Sequence, residues 1–188
     1  MVTPDGGHGP EHPWTAGGLT IGRAVLRAVE ADVRAGWDKD EEACGYLRGP
    51  ADAPLLVDEQ VAMVNTANKL HALDPETYFR TGRMFFSFNE KKFDDAVHAS
   101  AAAGRPVKVL YHSHLDAGAY FSPTDKAVMS MGEPPAAEGA PVTLGPGPAW
   151  PLAFLVTSIV AGEIAEHRLF VWSREQRDFV PSELHIVD

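Results

Sequence analysis

Hydrophobic positions along the chain follow two periods, one typical of helices and one typical of strands. Helical spacing of apolar residues predicts a first helix over residues 23–34, which Gly36 is expected to end. The apolar stripe of this helix consists of Val25, Leu26, Val29 and Val33. A second helix is predicted over residues 90–103, with Asn89 as its N-cap and Gly104 at its end.

Runs rich in apolar and β-branched residues predict the strands. They lie at residues 19–21, 43–47, 55–64, 107–111, 152–160, 164–172 and 179–187. The runs at 152–160 and 164–172 are expected to pair as a hairpin across Ala161-Gly162. Because helices and strands are mixed along the chain, we predict an α/β fold with a single mixed β-sheet flanked by helices.

Three segments show neither period. Residues 1–18 are rich in glycine and proline and are predicted to form a flexible N-terminal tail, which leaves residues 19–188 as one domain. Residues 131–151 are also rich in proline and glycine and predict a long loop. Residues 74–88 carry a dense aromatic run, which fits either a core strand or a surface that faces a partner; we expect it in the core.

Charge and cysteine content narrow the possible functions. The net charge of −10 disfavours binding to phosphate backbones, so we expect no nucleic-acid partner. The only cysteine is Cys44, which excludes an intramolecular disulfide and a cysteine-rich zinc site. The chain shows neither a secretory signal nor an apolar run long enough to cross a bilayer, so we expect a cytoplasmic protein without membrane contact.

The strongest chemical signal is His112-Ser113-His114, which directly continues the predicted strand at 107–111. Side chains two residues apart on a strand point to the same face, so both imidazoles could bind one metal ion. A His-x-His pair alone is a weak signal, because most such pairs are surface or hydrogen-bonded histidines.

Ser122-Pro123-Thr124-Asp125 strengthens the metal interpretation. The segment reads as a helix start, with Ser122 as N-cap and Asp125 at the third helical position. Asp125 could therefore serve only the helix backbone. A strand, a short loop and a helix start would also bring Asp125 close to His112 and His114. Two imidazoles and one carboxylate would then bind one Zn²⁺ ion and leave its fourth position to water, which is the arrangement of catalytic zinc sites.

The combined pattern resembles the JAMM (MPN+) metallopeptidase family. His112-Ser113-His114, seven residues, Ser122, two residues and Asp125 match the spacing of that family, and Glu42-Ala43-Cys44-Gly45 is similar to its upstream Glu-x-Cys-Gly strand. The resemblance covers roughly residues 19–172, and Asn65-Thr66-Ala67 is also similar to bacterial members. One departure is Leu115, which stands where the family usually has proline.

The resemblance implies an MPN/JAB fold, which is similar to that of cytidine deaminases, and a role for each site residue. His112, His114 and Asp125 would bind zinc, Glu42 would act as general base, and Ser122 would donate a hydrogen bond to the oxyanion. Neighbouring residues on a strand face opposite ways, so only one of two adjacent glutamates can reach the site, and the family spacing selects the second.

The resemblance also implies a substrate: JAMM enzymes cleave peptide or isopeptide bonds that follow the C-terminal tail of ubiquitin or a ubiquitin-like protein. The small bacterial type would act after the Gly-Gly end of a sulfur-carrier protein, either maturing it or removing it from a conjugate. The segments at 78–88 and 131–151 could frame the groove for that tail. One alternative is a non-catalytic MPN-type module that binds proteins. A zinc deaminase is excluded, because its ligand set needs two cysteines.

Overall fold

The computed structural model describes residues 11–188. A 3-10 helix at Pro13–Ala16 is followed by β1 (Leu19–Gly22), α1 (Arg23–Asp38), β2 (Cys44–Arg48), β3 (Leu56–Val57), β4 (Glu59–Met63) and α2 (Ala67–Leu73). The second half of the chain forms α3 (Glu90–Ala102), β5 (Val107–Leu115), α4 (Pro123–Met129), β6 (Ala153–Val160), β7 (Glu163–Ser173), β8 (Asp178–Ser182) and β9 (Leu184–Val187). No helix within the described residues is both long and apolar enough to cross a membrane.

Six strands form a mixed sheet in the order β4-β2-β5-β6-β7-β8. Strands β5 and β6 are parallel, whereas the other neighbours in this sheet are antiparallel. A parallel pair needs a crossover connection, and here α4 and the loop at residues 130–152 supply it. The crossover therefore places the start of α4 just beyond the carboxyl end of β5, in the middle of the sheet.

Helices cover both faces of this sheet. The buried side chains of its strands alternate between the two faces, and each face has its own core. Val29 and Val33 of α1 pack with Val109 and Tyr111 of β5 on one face. On the other face, Leu110 of β5 lies in a core shared by α3, α4 and β8, whose contributors include Phe93, Met129 and Phe179. The predicted α/β fold with a mixed sheet flanked by helices is confirmed.

The structure adds a second, smaller sheet to the one that was predicted. Its three parallel strands run in the order β3-β1-β9. The predicted last strand at 179–187 is in fact two strands, because the chain leaves β7 after Ser182 and pairs with β1 from Leu184 onwards. A single apolar run cannot reveal that its two halves pair with different neighbours.

Other local differences have steric or packing causes. Helix α1 continues past Gly36 to Asp38, and a Cβ at position 36 would lie 2.6 Å from the carbonyl oxygen of Glu41. Gly36 is therefore required by close backbone packing and does not end the helix. Part of the predicted flexible tail is ordered, because Trp14 is buried in the core; residues 1–10 of that tail lie outside the described residues.

The aromatic run at 74–88 forms no strand, and of its large side chains only Phe86 is fully buried. The preceding segment contains the short helix α2, which was not among the predicted elements. Residues 131–151 contain no helix or strand, although an isolated bridge joins Glu133 to Thr143.

Candidate metal centre

Strand β5 delivers the two histidines to one face of the sheet. His112 pairs with Cys44 on β2 and with Val156 on β6, so its strand is central and has neighbours on both sides. His112 and His114 are both buried. The two Nε2 atoms lie 3.2 Å apart, as expected for side chains at positions i and i+2 of a strand that turn toward one point.

Helix α4 brings Asp125 to the same point. The predicted capping box is present: the Ser122 hydroxyl accepts a hydrogen bond from the Asp125 N–H at 3.1 Å, and Asp125 Oδ2 accepts one from the Ser122 N–H at 2.9 Å. Asp125 Oδ2 also lies 3.4 Å from the Nε2 atoms of His112 and His114. Asp125 is therefore both a cap residue and a neighbour of the two histidines, and the two interpretations of the sequence are compatible.

These three atoms have the spacing of zinc ligands. Their separations are 3.2, 3.4 and 3.4 Å, a nearly equilateral triangle. With metal–ligand bonds of about 2.0–2.1 Å, the edge of a tetrahedron is about 3.3–3.4 Å. Among residues 11–188, only His112, His114 and Asp125 form a group of this kind that could hold a metal ion.

The ionisation of Asp125 and His112 also suits a cation. Burial alone would raise the pKa of Asp125, but the two imidazoles beside it outweigh that effect and hold its pKa below the ordinary value, so the group is a carboxylate. Burial lowers the pKa of His112, and the field of the Asp125 carboxylate opposes this shift. Neutral imidazole nitrogens and a carboxylate oxygen are ligands that Zn²⁺ binds readily.

Each imidazole is held in place by a further contact. His114 Nδ1 lies 2.8 Å from the carbonyl oxygen of Gly118, which can only accept, so Nδ1 carries a proton and Nε2 is left for the metal. The ring of His112 stacks on Phe86, with centroids 4.3 Å apart and planes inclined by 18°. Phe86 belongs to the aromatic run at 74–88, so this run also supports the site.

Glu42 faces the same site from the segment just before β2. The register pairs Cys44 with His112, so its continuation by two residues places Glu42 opposite His114, on the same face of the sheet. Glu42 is buried, and burial together with the nearby Asp125 carboxylate raises its pKa well above the ordinary value, although Arg80 opposes the shift. A buried acid with a raised pKa beside a candidate metal site is suited to proton transfer.

The choice between the two adjacent glutamates agrees with their contacts. Glu42 lines the cleft at the metal centre, whereas the carboxylate of Glu41 accepts a hydrogen bond from Asn68 at 3.2 Å. Cys44 is fully buried and burial raises its pKa to about 12, so its sulfur remains a thiol. A thiol in this state is a packing residue and not a nucleophile.

The cleft at the site has a volume of about 140 Å³. Predicted site residues Glu42, His114, Ser122 and Asp125 all line it. It is also lined by Arg83 and Met84, which lie in the segment at 78–88 expected to frame a groove, and by Ala117 and Tyr120, which the sequence analysis did not single out. None of them belongs to the family motif, and only the folding of the chain brings them to the cleft.

Leu115, at the usual proline position of the family, is accommodated in the core. Its side chain is 7% exposed and packs on the face that carries α1. The turn that follows is made by Asp116, whose φ is +53° and whose carboxylate accepts a hydrogen bond from the Ala161 N–H at 3.0 Å and an ion pair from Arg83 at 2.9 Å. The chain therefore turns after His114 without a proline.

Comparison with known proteins places this chain in a family. The model of the prokaryotic homologues of the JAB domain matches residues 23–177. None of the curated proteins matches the sequence.

Two solved structures show the same fold at low sequence identity. A protein from Desulfitobacterium hafniense matches with a TM-score of 0.58 and 18% identity, covering 90% of this chain and 93% of its own. A protein from Salinibacter ruber matches with a TM-score of 0.55 and 17% identity, covering 90% and 92%. A JAB1/MPN domain protein from Archaeoglobus fulgidus is 14% identical, with a TM-score of 0.46 over 90% of this chain and 100% of its own. Since the family model spans most of the chain, this protein belongs to the prokaryotic JAB-domain family.

Proposed function

We propose that this protein is a zinc-dependent metallopeptidase that cleaves the peptide or isopeptide bond after the C-terminal Gly-Gly of a ubiquitin-like protein. The observation that carries the proposal is the triangle of His112, His114 and Asp125 ligand atoms with the buried Glu42 carboxyl group in the same cleft. When bound there, Zn²⁺ supplies Lewis acidity that polarises a carbonyl and acidifies water.

Glu42 is the residue that moves protons in this proposal. Its carboxylate takes a proton from the attacking water and gives it to the amine that leaves. The raised pKa of Glu42 suits both halves of this task, because a carboxyl group with a pKa nearer neutrality is a stronger base and can also be protonated during turnover. Arg80 opposes the shift, because its positive charge favours the carboxylate form.

In this proposal the Ser122 hydroxyl proton, which the helix cap does not use, donates a hydrogen bond to the substrate. The oxygen accepts a hydrogen bond from the Asp125 N–H, which leaves the hydroxyl proton able to donate. In the cleft this proton would stabilise the oxyanion that forms on the scissile carbonyl. Loss of one such donor typically lowers the rate by about 10²–10³.

A second cavity beside the metal centre supports an extended peptide as substrate. Its volume is about 370 Å³, and it lies between the segment at 77–87, helix α4 and the loop that carries Pro134 and Pro135. The two segments expected to frame a groove therefore meet next to α4. The small cleft at the metal would receive glycines, and the larger apolar cavity would receive bulkier side chains that precede them.

The test is cleavage of a sulfur-carrier protein extended beyond its Gly-Gly end, followed by mass spectrometry. The zinc-loaded protein should release the shortened carrier, and Glu42→Ala should lower the rate by at least about 10². Glu41→Ala is the matched control, since it removes the neighbouring carboxylate outside the cleft and should leave cleavage nearly unchanged.

Two negative results would separate the alternatives. Stoichiometric zinc without cleavage of linear or conjugated carriers would favour a non-catalytic binding module. Cleavage that persists in Glu42→Ala would refute the role of Glu42 as base.

A further inference from the structure

The loop that follows the two histidines is held by a carboxylate from a distant strand. Glu166 lies on β7, and its Oε1 accepts a hydrogen bond from the Ala119 N–H at 3.1 Å. The Gly118 carbonyl, which belongs to the same peptide group as that N–H, accepts the hydrogen bond from His114 Nδ1 at 2.8 Å. One peptide group therefore joins the Glu166 carboxylate to the imidazole of His114.

We propose that Glu166 is a positioning residue that tunes His114 as a metal ligand through the Gly118–Ala119 peptide. This inference rests on the proposed metal centre. A carboxylate that accepts from the N–H of a peptide group pushes electron density toward the carbonyl oxygen of that group, so the carbonyl becomes a stronger acceptor. A stronger acceptor at Nδ1 holds the proton there, fixes the ring orientation and makes Nε2 more basic toward zinc.

The surroundings of Glu166 fit this role. Its hydrogen bond to the Ala119 N–H, with a further contribution from Arg168, lowers its pKa, so the group is a carboxylate at neutral pH. Arg168 Nε contacts the other carboxylate oxygen at 3.1 Å and so orients the group. The Ser158 hydroxyl donates to the Ala117 carbonyl at 2.5 Å, so the loop has a second anchor that does not depend on Glu166.

The second anchor decides what loss of Glu166 should do. With Ser158 still holding Ala117, the loop should stay folded when Glu166 is removed, and the main effect should fall on the electronic and orientational support of His114. Because the Glu166 side chain is 40% exposed, water weakens its field. We therefore expect an effect at the lower end of the range of about 10–100-fold that is usual for residues hydrogen-bonded to metal ligands.

The test measures Zn²⁺ affinity by competition with a chromogenic chelator in the full-length protein. Glu166→Ala should bind zinc about tenfold more weakly than the wild type. Glu166→Gln keeps an oxygen acceptor but loses the charge, so its affinity should lie between the two. Glu163→Ala removes the same charge from an exposed position on the same strand and should bind within about twofold of the wild type.

Nuclear magnetic resonance measures the Ala119 amide proton and the His114 Nδ1 proton directly, and these signals would not change if Glu166 only stabilised the fold. In zinc-free wild type, His114 should carry its proton on Nδ1, and the Ala119 amide proton should resonate downfield. In Glu166→Ala the Ala119 signal should move upfield and the Nδ1–H of His114 should exchange faster, while Glu163→Ala changes neither.

Zinc affinity of Glu166→Ala equal to that of Glu163→Ala overturns the proposal, as do unchanged Ala119 and His114 signals. A wild type that binds no zinc refutes the proposed function instead, and the zinc-free spectra then still decide whether Glu166 acts on His114.

Discussion

Asn65 connects the backbone at Glu42 to the loop that carries Phe86. Its side-chain Nδ2 donates to the carbonyls of Glu42 at 2.9 Å and Phe85 at 3.0 Å. Its Oδ1 accepts from the N–H groups of Ala67 at 2.9 Å and Ser87 at 3.1 Å. Both amide protons and both lone pairs are therefore used, and all four partners are backbone groups. This arrangement explains the Asn65-Thr66-Ala67 motif, for which the sequence alone offers no physical reason.

Replacing Asn65 by alanine should cost about 2–4 kcal/mol of unfolding free energy. Each hydrogen bond contributes about 0.5–1.5 kcal/mol net, and the half-buried site lets water satisfy some of the four released groups. For a chain of this size, about 1 kcal/mol corresponds to about 2–4 °C, so the melting temperature should fall by about 4–16 °C. The loss should also loosen the loop that presents Phe86 to His112.

Chemical and thermal unfolding of the zinc-free protein measure this cost, and hydrogen exchange reports the Ala67 and Ser87 amides. Asn65→Asp is the informative comparison, because it keeps the volume but places an oxygen against two carbonyl oxygens. It should destabilise the protein at least as much as alanine does, whereas Asn68→Ala should cost only about 1 kcal/mol for its single backbone partner, Gly82. A harmless Asn65→Asp, or Asn65→Ala within about 0.5 kcal/mol of wild type, would refute the reasoning.

Three further changes test the energetics of the site and of the core. The pKa of Glu42 is raised in the folded state, so zinc-free wild type loses stability as pH rises above about 4.5. Glu42→Gln should remove this loss, so the free energy of unfolding of the variant relative to wild type should be higher at about pH 8 than at about pH 4. Lys108 is fully buried and donates hydrogen bonds to three backbone carbonyls at 2.8–2.9 Å. Burial lowers its pKa to about 8, so the side chain is mostly protonated at pH 7. In urea unfolding, Lys108→Met should cost about 2–4 kcal/mol and the exposed Lys69→Met less than about 0.5 kcal/mol, and equal costs would contradict the buried role. Phe86→Ala should lower the free energy of unfolding by about 3–5 kcal/mol and weaken zinc binding through His112, whereas Phe85→Ala, at a less buried position, should cost less than half as much. Unchanged zinc affinity in Phe86→Ala would show that the stacked ring does not orient His112.

Local information in the sequence was enough for most elements of the fold. The apolar stripe of α1, the Asn89 cap of α3 and the strands at β5, β6 and β7 depend on spacing within a few residues, and each is present. The same holds for the capping box at Ser122 and Asp125. Such signals survive folding because they describe the contacts of a residue with its own neighbours in sequence.

Pairing partners were not determined by the sequence patterns. The run at 179–187 divides between two sheets because β7 and β1 both have an unpaired edge close to it, which no property of the run expresses. Helix α2 was not predicted from the apolar spacing; at its start the Asn65 side chain accepts a hydrogen bond from the Ala67 N–H. The aromatic run at 74–88 is a loop, and backbone groups such as the N–H of Gly82 and of Ser87 donate to the side chains of Asn68 and Asn65 and not to a neighbouring strand.

For the candidate metal centre, sequence alone determined the types of the possible ligands and their spacing, and family resemblance added Glu42. Tertiary structure decided the rest. Antiparallel pairing of β2 with β5 places Glu42 opposite His114, although about seventy residues separate them. The crossover between the parallel strands β5 and β6 sets the start of α4 beside His112. Glu166 on β7 contacts the loop between β5 and α4 through the Ala119 N–H. No sequence motif marks this contact, because every residue except proline has a backbone N–H.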